Sequence, residues 1–289
     1  MIVLDASDDF IKLTYKLFSG MKKAQWIQLI ALNLLVIVCI FLPYLPGPYD
    51  YLAGAISAVA QTTGFLGLLL VPVAVVWLIL EIRKLTQRNV MLNNWTNGYY
   101  FAITSTVICV FITLFYAISF LLMAGPSSTL ILILGAGFAF YKLLPSIKSL
   151  RISRDTSFHA APLYLISIPI ISFVVRLLLV GPASDYSRDY AIENGEQLIN
   201  AIEDYYVRNE QYPETIETLD NVAKPFVMGI EEFEYERNGD TYNLWFTQRQ
   251  AIIATKEVVM YNKNDRHNVK GHYASFDAKK SHWKYYWLD

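Results

Sequence analysis

Near the C-terminus, His267, His272 and His282 stand with Asp265 and Asp277, the one cluster of metal-ligand residue types in the sequence. Imidazoles and carboxylates bind zinc tetrahedrally, and the helical or hairpin motifs that present them space the ligands roughly two to five residues apart. The histidines here are five and ten residues apart, so Asp265, His267, His272 and Asp277 read better as loop surface than as a metal site. Glu231, Glu232, Glu234 and Glu236 could suggest acid–base chemistry. On a strand, however, three of the four project to one side, as on a solvated sheet face. No Gly-x-Ser-x-Gly elbow, phosphate-binding loop or dinucleotide fingerprint is present. The expectation is a chain with no catalytic residue and no cofactor.

Two polar residues lie inside strongly apolar runs. Arg176 is five residues from Gly181, close enough to a span end to snorkel, and Asn33 suits a hydrogen bond between helices. Structural roles are expected for both, with a substrate role for Arg176 as the alternative. Cys39 and Cys109 also sit in apolar runs and read as packing residues.

These positions depend on the elements that carry them. Five stretches, residues 25–45, 52–80, 99–123, 129–144 and 161–180, approach the roughly 20 apolar residues that cross a bilayer as a helix. Pro72 is expected to kink the second and Pro169 the fifth. Lys22-Lys23 precede a run that is too long for a signal peptide and ends in PYLPGPYD, without a small-x-small cleavage site. Residues 1–24 suit an amphipathic helix, with Phe10, Ile11, Thr14, Leu17 and Phe18 on one face. It either lies in the membrane interface or packs on helix ends.

Lys and Arg occur before the first stretch, between the second and third, and between the fourth and fifth; the alternate loops have none. That alternation obeys the positive-inside rule. It puts the N-terminus in the cytoplasm of a bacterial plasma membrane and the C-terminal region on the other side. Trp26, Tyr44, Tyr51, Trp77, Tyr99, Tyr100, Tyr141 and Tyr164 fall at or near span ends, where aromatic rings prefer the headgroup level. From Ala183 onward there are 12 Lys and Arg against 19 Asp and Glu. Such an acidic segment argues against nucleic-acid binding, which draws on Lys and Arg at phosphates.

Beyond Gly181-Pro182, expected to interrupt the helix, residues 185–289 read as a separate α+β domain. An amphipathic helix carries Ala191, Gly195, Leu198, Ile199, Ile202, Tyr205 and Tyr206 on one stripe and stops before Pro213. Two alternating runs flank Asn238-Gly239, a strong hairpin signal. Further strands are expected at residues 255–262 and 282–288. One long helix would then lie on an antiparallel sheet of three or four strands. Whether this domain stands free on a Gly181-Pro182 hinge or packs on the membrane helices is left open.

An apolar helix, an amphipathic helix closing in EDYYVRNEQYPETIETL and a β-meander together resemble the type IV pilins and the major pseudopilins of type II secretion. The matching positions are Tyr205, Tyr206, Asn209, Tyr212, Pro213 and Leu219. The resemblance implies that Tyr205 and Tyr206 cap the core while Tyr212-Pro213 turns the chain back toward the sheet. It covers about residues 189–248. Because major pseudopilins bind calcium in a loop between late strands, the resemblance also implies calcium near Asp265, Asn268 and Asp277, although such a site needs about six to eight oxygen ligands. The preceding residues, RISRDTSFHA, lack the basic leader, Gly cleavage site and early Glu of pilins. The functional expectation is a non-enzymatic five-span protein, with the lipid bilayer and an envelope or secretion protein as partners. The alternative is a small transporter or channel component with the domain as its outer lid.

Overall fold

A computed structural model describes residues 21–86, 98–123, 125–152, 158–219, 223–249, 256–267 and 274–288. The amphipathic helix expected over residues 1–24 falls almost wholly outside them, as do His272 and Asn268. Among the described residues there are six α-helices: α1 (Lys23–Phe41), α2 (Tyr51–Gly67), α3 (Val71–Thr86), α4 (Tyr99–Met123), α5 (Gly125–Ile152) and α6 (Ala161–Asn209). Among the described residues, four segments are long and apolar enough to cross a membrane: Lys23–Tyr44, Tyr51–Lys84, Tyr99–Ser119 and Ala161–Asn209. Many large apolar side chains on these helices point outward, including Leu35, Leu69, Phe111 and Leu177. In water such a surface would be unsustainable; in a bilayer it is solvated.

A 3₁₀ turn, Leu68–Leu70, separates α2 from α3, and Pro72 occupies the second position of α3, where its missing N–H is harmless. Gly181-Pro182 does not act as expected, because α6 runs unbroken through both for 49 residues. Pro182 removes one internal hydrogen bond, while packing on either side outweighs that loss. Val180, Ser184 and Ser187 are all buried. Asp185 and Ser187, just beyond Pro182, pair with Arg188 and Gln248.

The chain divides into two compact units. The first comprises residues up to Leu35 together with Thr62–Ser172; the second comprises Val36–Gln61 and Phe173–Asp289.

In the first unit, Asn33 donates to the Leu29 carbonyl at 2.8 Å and to Ser167 Oγ at 3.1 Å. It is the interhelical hydrogen bond expected of it. The buried Glu81 accepts from Trp77 Nε1 at 3.0 Å and from the His159 backbone N–H at 3.1 Å, and Lys84 Nζ lies 2.6 Å away. A carboxylate therefore serves one of the otherwise orphaned donors just before α6 begins.

The second unit holds an antiparallel sheet of five strands, not three or four: β1 (Glu234–Asn238), β2 (Thr241–Arg249), β3 (Lys256–Asn262), β4 (Ser275–Asp277) and β5 (Trp283–Leu288), in the order β1-β2-β3-β5-β4. The unforeseen strand, β4, has three residues, too short to display an alternating pattern; its Phe276 stacks on Tyr285 of β5. The β1–β2 hairpin pairs Asn238 with Thr241 across Gly239-Asp240. Gly239 takes φ +63° at the first loop position, where a type II′ turn wants glycine.

One sheet face packs on the second half of α6. Ala191, Ile192, Leu198 and Ile202 meet Phe233, Leu244, Phe246, Val259 and Trp283 in a single core. Tyr242 is fully buried and contacts Tyr212, Tyr235 and Tyr261. Burial pushes the Tyr235 hydroxyl up to about 12, and burial reinforced by Asp277 does the same to Tyr286. Unfolded tyrosine ionises near 10, so between these values the unfolded state alone releases the proton. Stability is therefore retained below pH ~10 and falls as pH rises toward about 12. A pH titration of the folded fraction should show this loss, and Tyr235→Phe with Tyr286→Phe should lessen it, the remainder coming from Tyr242, whose hydroxyl burial also raises. An equally steep fall in the double variant would refute the assignment.

Candidate functional site

The second unit contains a junction that no local sequence pattern announces. The chain following α1 forms backbone hydrogen bonds to residues 226–229. Gly47 N–H donates to the Phe226 carbonyl at 2.9 Å, and Asp50 N–H to that of Met228 at 3.0 Å. In return, Met228 N–H donates to Leu45 O at 3.0 Å and Gly229 N–H to Pro43 O at 2.9 Å. Pro46 and Val227 form an antiparallel bridge. The approach is close enough to require glycine at 229, where a Cβ would lie 2.5 Å from the Pro43 carbonyl oxygen. Arg249 Nη1 adds a bond to the Gly54 carbonyl at 3.0 Å. Within this unit, the sheet domain is tied to the loop between α1 and α2 and does not swing free of it.

Beside the junction lies a cleft of about 250 Å³. Its rim carries both signs of charge: Asp50, Glu231, Glu232 and Glu234 face Arg249 and Lys256, with Tyr49 and Tyr51 on the α2 side. All six charged groups are solvent-exposed. The arrangement suits recognition of a complementary charged surface. It offers no oriented nucleophile–base pair, which catalysis by these residue types would need.

Beneath the cleft, a buried polar network joins α6 to the sheet. Arg188 Nε donates to Glu257 Oε1 at 2.5 Å and its Nη2 to Glu257 Oε2 at 3.1 Å, a bidentate pair. The same guanidinium reaches Asp185 at 2.8 Å and lies 3.8 Å from the centre of the Tyr285 ring. Gln248 donates to Glu257 at 3.0 Å and accepts from Ser187 Oγ at 2.8 Å. Glu257 is fully buried, so this geometry offsets a large desolvation cost.

The residues singled out in the sequence fall into three groups. Tyr205, Tyr212 and Leu219 join the domain core. Tyr206 is 40% exposed and covers Tyr212, their rings stacked 4.4 Å apart. Pro213 is buried, and its carbonyl accepts from Tyr235 Oη at 2.8 Å. Of the ionisable C-terminal residues, Asp265 pairs with His282 at 3.2 Å, His267 Nε2 contacts the His282 carbonyl at 3.0 Å, and Asp277 lies 3.6 Å from Lys284. Among the described residues, no group of three or more His, Cys, Asp or Glu is arranged to hold a metal ion. Arg176 bonds to Gln61 Oε1, while Gln61 donates to Ser57 Oγ at 2.9 Å and Ser57 to the Ile40 carbonyl at 2.6 Å. Gln61 and Ser57 were missed because they resemble ordinary small or polar interruptions of an apolar run. The signal available was their spacing of four residues, which puts both on one helix face.

No family model, curated protein or solved structure matches the chain.

Proposed function

We propose that this chain is a five-span bacterial plasma-membrane protein with a cytoplasmic N-terminus, displaying a pilin-like α+β domain outside the membrane for a partner protein to dock on. One observation carries the reading: α6 is apolar where it begins and forms the core of a sheet domain where it ends. The backbone pairing of residues 43–50 with 226–229 supports it, since the loop after the first span is then part of the displayed surface. Basic residues in alternate loops support the orientation. The aromatic closure at Tyr205, Tyr206, Tyr212 and Pro213 supports the kinship with pseudopilins, and the mixed-charge cleft is the docking surface. The bonding of Arg176 to Gln61 favours a structural role for that cation over a transport pathway.

The test is site-specific photocrosslinking of the full chain in its native membrane, with the reactive residue at Glu234 on the cleft rim. Val207, which is 79% exposed on α6, serves as the comparison, and Arg176 as the intramembrane probe. The expected result is one adduct of defined mass from Glu234 and none of that mass from Val207. Identical adducts from both would sink the docking reading. Silence at Glu234 with small-molecule capture at Arg176 would favour a transporter carrying an outer lid.

A further inference from the structure

We infer that the first unit carries a binding groove for an anionic phospholipid headgroup, between the start of α1 and the start of α6. This rests on the membrane reading above. The groove encloses about 620 Å³ and is lined by Gln25, Gln28 and Leu32 of α1 and by His159, Ala161 and Tyr164 at the beginning of α6.

Its polarity is graded along one axis. On α1, Gln25, Gln28 and Leu32 follow one another at spacings of three and four residues, and Lys22 and Lys23 stand just before them. At 1.5 Å per residue, this face passes from amide at Gln25 to hydrocarbon at Leu32 over about 10 Å, with the two lysines just before it. An amphiphile has that profile, with its headgroup at the lysines and its acyl chains toward Leu32.

Gln28 lies in the second turn of an apolar helix, is exposed, and makes no side-chain hydrogen bond among the described residues. A primary amide at that depth gains from a polar partner, and the glycerol and phosphate oxygens of a lipid are of that kind. The groove walls are fixed before any ligand arrives. Tyr164 Oη donates to the Gln25 carbonyl at 3.0 Å, and Lys22 N–H donates to Gln25 Oε1 at 2.9 Å. The His159 backbone is held by Glu81.

The electrostatics select the headgroup's sign. Lys22 and Lys23 are exposed and immediately precede the lining residue Gln25, to whose side chain the Lys22 N–H is bonded, and the start of α6 forms the facing wall. The charge of Glu81, behind His159, is fully buried and compensated by Lys84. With Lys22 and Lys23 on the cytoplasmic side, the lipid comes from the inner leaflet, whose anionic surface such lysines attract.

Native mass spectrometry of the detergent-solubilised full chain, titrated with phosphatidylglycerol or phosphatidylcholine, tests this. Wild type should retain one phosphatidylglycerol in preference to phosphatidylcholine. Lys22→Ala with Lys23→Ala should weaken that retention on the order of 30-fold, the combined contribution of two lysines at an anionic surface. Gln28→Leu, which suits a membrane helix, should lower it further. All three positions are exposed, so the fold is untouched. Equal retention of the two lipids, undiminished retention in the variants, or a protein-sized adduct in the groove would overturn the inference. Release of wild type from membranes by an alkaline wash would instead overturn the membrane reading, and this site with it.

Discussion

Replacing Arg188 with Met should destabilise the C-terminal domain by about 3–5 kcal/mol, because it leaves a fully buried carboxylate without its counter-charge. Glu257 has no exposed surface; its oxygens are served by Arg188 and Gln248. The loss of Arg188 removes a bidentate ion pair, the bond to Asp185 and the contact with the Tyr285 ring together. Most of the expected effect comes from stranding Glu257, not from the worth of the pair itself, and the double variant separates these terms. Arg188→Met with Glu257→Leu removes both charges and should recover part of the loss, the rest reflecting the buried Gln248 amide left without the carboxylate it donates to. The measurement is the temperature at which the domain becomes susceptible to protease in the solubilised full chain. A double variant as labile as the single one would show that the network orders the helix–sheet junction by more than charge balance.

Phe246→Ala should cost about 3–5 kcal/mol, the range for deleting a fully buried aromatic ring. The ring sits in the middle of β2, edge-on to Phe233 at 5.8 Å and tilted against Trp283 at 6.1 Å. Its neighbours come from the residue before β1 and from β5, two segments far apart in sequence, so no single local rearrangement can close the cavity. Phe246→Leu retains more of the buried volume and should lose clearly less. The same protease assay ranks the variants. Equal losses for Ala and Leu would mean that Phe246 is held for ring stacking, not for volume.

The elements legible in the sequence are those whose residues report their own surroundings. The stripe through Ala191, Leu198 and Ile202 announced the core face of α6, and all three are buried. Asn238-Gly239 announced the hairpin, although Asn238 closes the strand and the loop is Gly239-Asp240. Tyr205, expected to cap the core, packs against it, whereas Tyr212 and Leu219, matched only as positions of the aromatic closure, lie inside it. Gly181-Pro182 misled because helix-breaking propensity is local, whereas the burial of Val180, Ser184 and Ser187 that carries the helix through is not. The candidate site was illegible for the same reason. Pro43–Asp50 and Phe226–Gly229 are some 180 residues apart, and backbone pairing between them leaves no side-chain pattern in either.

By itself the sequence determined the apolar helices, the change of character near residue 181, the alternation of basic loops and the α+β composition that follows. Each of these is an additive property of neighbouring residues: hydropathy, period and charge. Only the tertiary structure decided that α6 is continuous, that Arg188 neutralises Glu257 beneath the sheet, that Arg176 is answered by Gln61, and that the loop after α1 belongs to the sheet domain. Those outcomes depend on which groups become neighbours once apolar surface is buried. A buried charge or backbone donor must find its partner wherever the chain brings one, at any separation in sequence.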